Sequence, residues 1–191
     1  MTIERLYAII DAEVAGEPRA LARRAVKAGC AMLQLRAKYL DDRAFMALAS
    51  DLRELCADTQ TPLVINDRAD IAKIVGADGL HLGQDDLAIA DARCVVGEMQ
   101  IGISTHNLQQ AVRADAEGAD LIAFGPVFET KTKENPDPIV GLRTLEEVCR
   151  RVSRPVVAIG GITPKNAEET LRFGASYVAV ISALPSFVGG R

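Results

Sequence analysis

The stretch GADLIAF, residues 118–124, joins a small glycine-containing turn to a short apolar run. Gly-Ala-Asp recurs at residues 76–78 and Gly-Ala-Ser at residues 174–176, and each again precedes an apolar run. A glycine directly after a helix can adopt the left-handed backbone conformation that turns the chain into the next strand. The repeat therefore predicts helix-to-strand junctions, and Gly29 before Cys30 is a looser copy.

Short runs rich in branched apolar residues alternate with amphipathic segments along the chain, which is typical of repeated βα units around a parallel sheet. No GxGxxG motif follows the first run, so the pattern favours a closed α/β barrel, the (β/α)8 or TIM barrel, over a doubly wound open sheet. The eight predicted strands cover residues 6–10, 32–36, 63–66, 79–82, 100–104, 121–124, 156–159 and 177–181.

Helix-start signals lie between the predicted strands. Asn107 with Gln110 and Thr144 with Glu147 have the spacing of reciprocal capping pairs. Thr163 stands directly before a proline, a residue favoured at the first position of a helix. We therefore expect helices to begin just after these threonines and this asparagine.

The tail of the chain departs from the repeated pattern. Residues 182–191 contain one proline and two glycines, so we expect the eighth helix to be missing or reduced to a stub. No linker or low-complexity stretch divides the sequence. Residues 1–191 are therefore expected to form a single barrel domain.

The composition is that of an ordinary folded protein, with 49% hydrophobic and 25% charged residues, which excludes a disordered chain. The net charge of −4 provides no broad basic face, so nucleic acid is not an expected partner. The first apolar run is too short to cross a membrane or to act as a secretory core, and the four cysteines form no CxxC pair. We expect a cytoplasmic protein without a membrane partner.

Cationic and amide side chains end the second predicted strand, and the carboxyl ends of barrel strands are where such folds build their sites. Period-two alternation turns Gln34, Arg36 and Lys38 toward the barrel mouth, while Leu33 and Leu35 point to the helices. Unpaired cations there would be costly, so an anionic ligand or nearby carboxylates should complement them. The alternative is a salt-bridge layer that closes the barrel.

Carboxylates follow the third and fourth predicted strands. Asp67 and Asp86 are hard oxygen ligands suited to Mg²⁺, which takes one or two protein carboxylates and completes its shell with phosphate oxygens and water. The alternative for each aspartate is the N-cap of the next helix. His81 and His106 have no second histidine at metal-ligand spacing, so we expect them to pack or to form hydrogen bonds.

The long loop of residues 125–138 follows the sixth predicted strand, and long loops on a barrel are usually functional. Its Thr130, Thr132 and Lys133 offer two hydroxyls and a cation to a phosphate. The alternative is a solvated charged loop.

A double glycine ends the seventh predicted strand. Backbone N–H groups at Gly160 and Gly161, with those near Ser182 after the eighth strand, can converge on a phosphate, although tight turns also need glycine. One barrel mouth thus offers a cationic, metal-capable anion site and a second, backbone-built one. This arrangement predicts two phosphorylated substrates.

Six short motifs together resemble the thiamine phosphate synthase family over residues 6–183. Several motifs in a fixed order are more specific than any one of them. The resemblance implies a (β/α)8 transferase that joins hydroxymethylpyrimidine diphosphate to hydroxyethylthiazole phosphate and yields thiamine phosphate and pyrophosphate. The motifs are QLRAK at 34–38, NDR at 66–68, HLGQDD at 81–86, GP at 125–126, TKTK at 130–133 and IGGI at 159–162.

The resemblance also implies a role for each candidate residue. The pyrimidine diphosphate would be held by Gln34, Arg36, Lys38, Asn66 and Lys133, with Ser104 near the reacting centre. The implied cofactor, Mg²⁺, would be bound by Asp67 and Asp86. The thiazole phosphate would be held by Thr130, Thr132, Gly161, Ile181 and Ser182. Catalysis would rest on Arg36, Lys38, Ser104 and Lys133.

The reaction that the resemblance implies is dissociative. The C–O bond to the diphosphate breaks first, the aminopyrimidine stabilises the methylene cation, and the thiazole nitrogen captures it. The protein needs no nucleophile, which agrees with the lack of a Ser-His-Asp or Cys-His arrangement in the sequence. Its task is to stabilise the departing diphosphate and to orient the acceptor.

Two features depart from the family pattern. The first predicted strand ends Ile9-Ile10-Asp11 where Thr-Asp is common, so no role is carried over to Asp11. The reduced eighth helix uncovers one side of the barrel, so we expect stability to depend on a subunit contact, as in a homodimer, or on a local rearrangement.

Two other functions stay open. A thiazole tautomerase shares the barrel but has no use for a diphosphate site, and it can carry a histidine near the position of Pro126, which this sequence lacks. A non-catalytic paralogue would bind phosphate ligands without releasing pyrophosphate. The residues that disfavour both are those of the diphosphate and metal positions, Gln34, Arg36, Lys38, Asp67, Asp86 and Lys133.

Overall fold

A ring of parallel strands forms the centre of the structure, a computed structural model that describes residues 3–130 and 137–189. Each strand pairs with the next, and the last pairs with the first, so the sheet is a closed barrel and not an open one. Within the described residues the eight strands are β1 Leu6–Asp11, β2 Met32–Arg36, β3 Leu63–Asn66, β4 Gly79–Leu82, β5 Gln100–Thr105, β6 Leu121–Phe124, β7 Val156–Ile159 and β8 Tyr177–Val180.

Helices alternate with the strands around the barrel, which confirms the predicted (β/α)8 architecture. None of the helices in the described ranges is long and apolar enough to cross a membrane. The helices are α1 Pro18–Lys27, α2 Asp42–Ala57, α3 Ala69–Val75, α4 Ile89–Val96, α5 Leu108–Ala116, α6 Gly141–Arg151, α7 Ala167–Arg172 and α8 Leu184–Phe187, after a short 3₁₀ helix at Ile3–Arg5.

The eighth helix is a single turn, as predicted from its proline and the following glycines. Leu184 is fully buried, and Phe187 and Val188 pack against the core. Arg24 on α1 donates a hydrogen bond to the Gly189 carbonyl at 2.7 Å. The stub therefore covers part of the side of the barrel that a full-length helix would occupy.

Side chains of the strands divide into two apolar layers, as strand alternation requires. Leu33 and Leu35 belong to the large layer between strands and helices. The barrel interior holds a smaller cluster that includes Ala123, Val157 and Ala179. Because these interior side chains are small, space remains at the carboxyl ends of the strands.

The Gly-Ala-Asp repeat marks helix-to-strand junctions as predicted, and Gly76 ends α3 with a left-handed conformation, φ 64° and ψ 46°. The aspartates have a second role. Asp78 accepts a hydrogen bond from the backbone N–H of Leu63 at 2.8 Å, and Asp120 accepts one from that of Ile101 at 2.9 Å. Each aspartate thus ties the start of its own strand to the start of the preceding one.

Arginines reinforce both ties. Arg53 contacts Asp78 at 2.6 Å, and Arg93 contacts Asp120 at 2.5 Å. The carboxylates therefore bridge a backbone donor and a cation, a pairing that gives stronger hydrogen bonds than neutral partners do.

Helix starts agree with the sequence only in part. Asn107 caps α5, since its side chain accepts from the Gln110 N–H at 2.9 Å. The predicted cap at Thr144 is wrong, because α6 already begins at Gly141 and the Thr144 hydroxyl donates to the Val140 carbonyl at 2.7 Å. The predicted start after Thr163 is also wrong, because residues 164–166 form a turn before α7 begins.

We predict that Asp120→Ala lowers the free energy of unfolding by about 1–3 kcal/mol, because it leaves the Ile101 N–H and Arg93 without their carboxylate partner. Urea unfolding followed by circular dichroism measures this loss. The matched control is Glu98→Ala in the exposed turn before β5, expected to change stability by less than about 0.5 kcal/mol. Equal stabilities of the two variants would contradict the strand tie.

Candidate active site

Two adjoining cavities open at the carboxyl ends of the strands. The inner cavity, about 350 Å³, lies within the barrel and is lined by residues that include Tyr7, Gln34 and Ser182. The acidic cavity, about 340 Å³, lies over β3 and β4 and is lined by residues that include Asp67 and Asp86. They share a wall formed by Arg36, Asn66, Ser104, His106 and Asp137.

Every predicted site residue that the structure describes lines one or both cavities. Thr132 and Lys133 lie outside the described residues. The inner cavity alone receives Gln34, Thr130, Gly161, Ile181 and Ser182. Both cavities receive Arg36, Asn66 and Ser104. The acidic cavity alone receives Lys38, Asp67 and Asp86.

The two predicted metal ligands face each other in the acidic cavity. Burial raises the pKa of the Asp67 carboxyl to about 6, the adjacent Asp86 carboxylate adds to the rise, and Lys38 opposes it. The Lys38 Nζ lies 3.6 Å from Asp67 Oδ2. Two carboxylates so close repel each other when both are ionised, so a cation between them would be stabilised.

The aspartates are not helix caps, which excludes the alternative raised by the sequence. Arg68 is the N-cap of α3 and Ala88 is the N-cap of α4. The Asp86 side chain accepts instead from the Gly83 N–H at 2.7 Å, and Asp67 adopts a positive φ of 63°. In the parts of the chain that the structure describes, no group of three or more His, Cys, Asp or Glu side chains forms a cluster suited to a metal ion.

Arg36 is held by Asp11, a residue to which sequence reasoning gave no role. The Asp11 side chain, only 2% exposed, forms an ion pair with the Arg36 guanidinium, and Glu13 lies 4.0 Å from it. Asp11 and Arg36 are register partners on β1 and β2. The predicted alternative of a salt bridge at the barrel mouth is therefore present for Arg36, which at the same time lines both cavities.

Tyr7 and Gln34 form the polar part of the inner cavity floor. The Gln34 side-chain amide donates to the Tyr7 hydroxyl at 2.7 Å, and both residues are buried. Burial raises the pKa of Tyr7, so its hydroxyl stays protonated at neutral pH. Sequence reasoning missed Tyr7, although inward alternation with Ile9 along β1 was a signal that would have found it.

Both histidines form hydrogen bonds, as expected. His81 Nε2 lies 2.9 Å from the Ser104 hydroxyl inside the barrel, and burial lowers the pKa of His81 to about 4 against the opposing charge of Asp86. His106 Nδ1 lies 2.7 Å from the Gly125 carbonyl and 3.5 Å from the Asp137 carboxylate. His106 thus connects β5 to both ends of the long loop after β6.

The double glycine after β7 packs against that loop. The Val127 N–H donates to the Ile159 carbonyl at 2.8 Å, and the Phe128 N–H donates to the Gly160 carbonyl at 3.1 Å. Gly160 has φ 96°, and a Cβ there would overlap Pro126. Glycine is required here for close packing as well as for access to the cavity.

The fold and this mouth are those of a (β/α)8-barrel enzyme of small molecules, with paired carboxylates, cations and a glycine turn at the place where such barrels build their sites. The family model described as thiamine monophosphate synthase matches residues 6–184. The chain belongs to that family, and its activity is that of a transferase that makes thiamine phosphate.

Similar proteins and a solved structure support the family assignment. The thiamine-phosphate synthase of Chloroflexus aurantiacus is 41% identical over 182 residues, 94% of this chain and 84% of the relative. That of Methanocella arvoryzae is 46% identical over 167 residues, 87% of this chain and 79% of the relative. The thiamine phosphate pyrophosphorylase structure from Pyrococcus furiosus superposes with a TM-score of 0.87 at 34% identity and covers 95% of this chain and 87% of its own. The resemblance drawn from the motifs is therefore confirmed.

We predict that Gly160→Ala lowers the free energy of unfolding by about 3 kcal/mol, because the methyl group overlaps Pro126 at a positive φ. Gly76→Ala is the matched control: its φ is also positive, but a Cβ there meets no atom of the described residues within 4 Å. That control should lose only about 1 kcal/mol. Similar losses in urea unfolding would show that the contact with Pro126 does not matter.

Proposed function

We propose that the chain joins hydroxymethylpyrimidine diphosphate to hydroxyethylthiazole phosphate with Mg²⁺ as cofactor, and that the two substrates meet where the cavities adjoin. The observation that carries the proposal is the division of charge at one mouth. The acidic cavity is lined by four aspartates together with Arg36 and Lys38, while the inner cavity has a glycine turn and a mostly apolar wall. The two proposed substrates differ in charge in the same way: one carries a diphosphate and the other a phosphate monoester.

The diphosphate is proposed to lie between Arg36 in the shared wall and Lys38 in the acidic cavity. Arg36 keeps about a quarter of its side chain exposed, 24%, while its ion pair with Asp11 fixes its direction. Guanidinium and ammonium groups stabilise negative charge that develops on a departing oxygen. The other proposed ligands of this substrate are Gln34, Asn66, Ser104 and Lys133.

The residues of the acidic cavity fit a magnesium ion. Asp67 and Asp86 would supply oxygen ligands. Burial, with the neighbouring Asp86 carboxylate, raises the pKa of Asp67, and a divalent cation would offset both effects. When bound, Mg²⁺ would supply positive charge to the diphosphate oxygens. Protein donors would fill only part of its shell, leaving room for substrate oxygens and water.

The thiazole phosphate is proposed to bind on the far side of the inner cavity. Gly161 lines this side, and its φ of 64° belongs to a left-handed turn that favours glycine. Backbone N–H groups in such a turn can bind a phosphate without a cation. The side chains proposed to assist are Thr130, Thr132, Ile181 and Ser182.

The chain's own residues serve a dissociative reaction by binding, orienting and excluding water. As the C–O bond breaks, Arg36, Lys38 and Lys133 stabilise the leaving diphosphate. Apolar side chains such as Ile9 and Val157 line the inner cavity and keep water from the methylene cation. The thiazole nitrogen, held nearby, then captures the cation.

Association into a homodimer and a cytoplasmic location stay predictions. Light scattering of the purified protein tests the first. A mass of one chain across the concentration range would contradict it.

The test of the proposed function is pyrophosphate release from purified protein, with each substrate alone and with both. We expect release only when both substrates and Mg²⁺ are present. Retention of the pyrimidine diphosphate without release would favour a binding paralogue, and isomerisation of the thiazole precursor alone would favour a tautomerase.

We predict that Asp67→Asn lowers the rate of pyrophosphate release by about 100-fold at fixed Mg²⁺, because one charged ligand of the proposed metal is lost. Titration with Mg²⁺ should show a weaker apparent affinity. The control is Asp91→Asn, which removes an exposed aspartate on α4 and should keep the wild-type rate. An unchanged dependence on Mg²⁺ in the Asp67 variant would contradict the assignment.

A further inference from the structure

His81 is a buried histidine that the proposed mechanism leaves without a task. It lies on β4 beside Gly102 of β5, its ring lines the inner cavity, and its Nε2 lies 2.9 Å from the Ser104 hydroxyl. Its other nitrogen, Nδ1, is buried and has no hydrogen-bond partner among the described residues. A buried nitrogen without a hydrogen-bond partner is uncommon in a folded protein and calls for an explanation.

Gly102 leaves His81 Nδ1 without an acceptor. A Cβ built on Gly102 would lie only 2.7 Å from His81 Nδ1, so the backbone of this glycine closes that side of the ring, and no described residue accepts a hydrogen bond there. A buried N–H without an acceptor is rarer in folded proteins than a buried acceptor without a donor. The proton of the ring therefore lies on Nε2 and faces Ser104.

This tautomer fixes the polarity of the Ser104 hydroxyl. Because His81 Nε2–H donates, the Ser104 oxygen accepts, and the hydroxyl keeps its own proton for another acceptor. Ser104 lines both cavities, in the wall proposed to hold the diphosphate substrate.

We propose that His81 is a positioning residue that turns the Ser104 hydroxyl proton toward an acceptor atom of the pyrimidine diphosphate. The identity of that substrate rests on the proposed function. The tautomer of His81 does not, because it follows from the buried position of Nδ1, which has no acceptor among the described residues.

The backbone of Ser104 is held as firmly as its side chain. The Gln84 amide donates to the Ser104 carbonyl at 2.7 Å, and Arg113 donates to the Gln84 side-chain oxygen at 2.9 Å. Ser104 is thus held at its backbone by Gln84 and at its hydroxyl by His81. Such supported donors are effective because they are oriented before the substrate arrives.

Two variants of similar length separate donation from packing. His81→Gln keeps an amide N–H near the position of Nε2, and His81→Met fills the same space without a donor. We expect His81→Met to lower kcat for pyrophosphate release by about 10- to 100-fold, as loss of supporting hydrogen bonds does at other sites. His81→Gln should restore most of the rate, and KM for the thiazole phosphate should stay the same in both.

A double-mutant cycle tests whether His81 acts through Ser104. In a Ser104→Ala background, His81→Met should cause no further loss of kcat. The same loss in both backgrounds would overturn the proposal, and so would equal rates for the Gln and Met variants. Melting curves of each variant confirm that the compared proteins are folded.

A second measurement on wild-type protein needs no activity and no variant. Nitrogen-15 NMR of the His81 imidazole should show the proton on Nε2 and a lone pair on Nδ1. A proton on Nδ1 would overturn the proposal. Wild-type protein that releases no pyrophosphate but shows the expected tautomer would instead contradict the proposed function, so the two failures are distinguishable.

Discussion

Closure of the sheet by the pairing of β8 with β1 is the constraint on which the rest of the structure depends. Leu6 pairs with Val178 and Ala8 with Val180, and this register completes the ring. Because parallel strands all run in one direction, closure brings their carboxyl ends to a single mouth. Residues from eight distant parts of the sequence then share two adjoining cavities.

Charge is balanced at this mouth by neighbours that closure supplies. Arg36 pairs with Asp11 from β1, and Lys38 lies near Asp67 after β3. Each cation is therefore partly neutralised before any ligand binds, which lowers the cost of holding it near the barrel interior. Asp67 and Asp86 remain close to each other, and a bound cation would reduce the repulsion between their carboxylates.

The sequence was sufficient for the strands and for the end of the barrel at which the candidate residues gather, because both follow from local periodicity. Apolar runs predicted every strand to within one residue, and alternation along β2 correctly turned Gln34 inward. The sequence was not sufficient where the partner of a side chain comes from another βα unit of the barrel. The Asp11–Arg36 ion pair, the Tyr7–Gln34 hydrogen bond and the contact of His81 with Ser104 are visible only once neighbouring strands are in register. The capping spacing at Thr144 misled for the same reason: Val140, directly before α6, donates its N–H to the Pro126 carbonyl, and the helix begins at Gly141.

The central claim is that one mouth holds two separate phosphate sites. Equilibrium binding of each substrate to the wild type, to Arg36→Ala and to Ser182→Ala tests it most directly, with calorimetry in the presence of Mg²⁺. The account predicts that the arginine variant weakens only the pyrimidine diphosphate and the serine variant weakens only the thiazole phosphate. Loss of affinity for both ligands in either variant, or for neither, would contradict it.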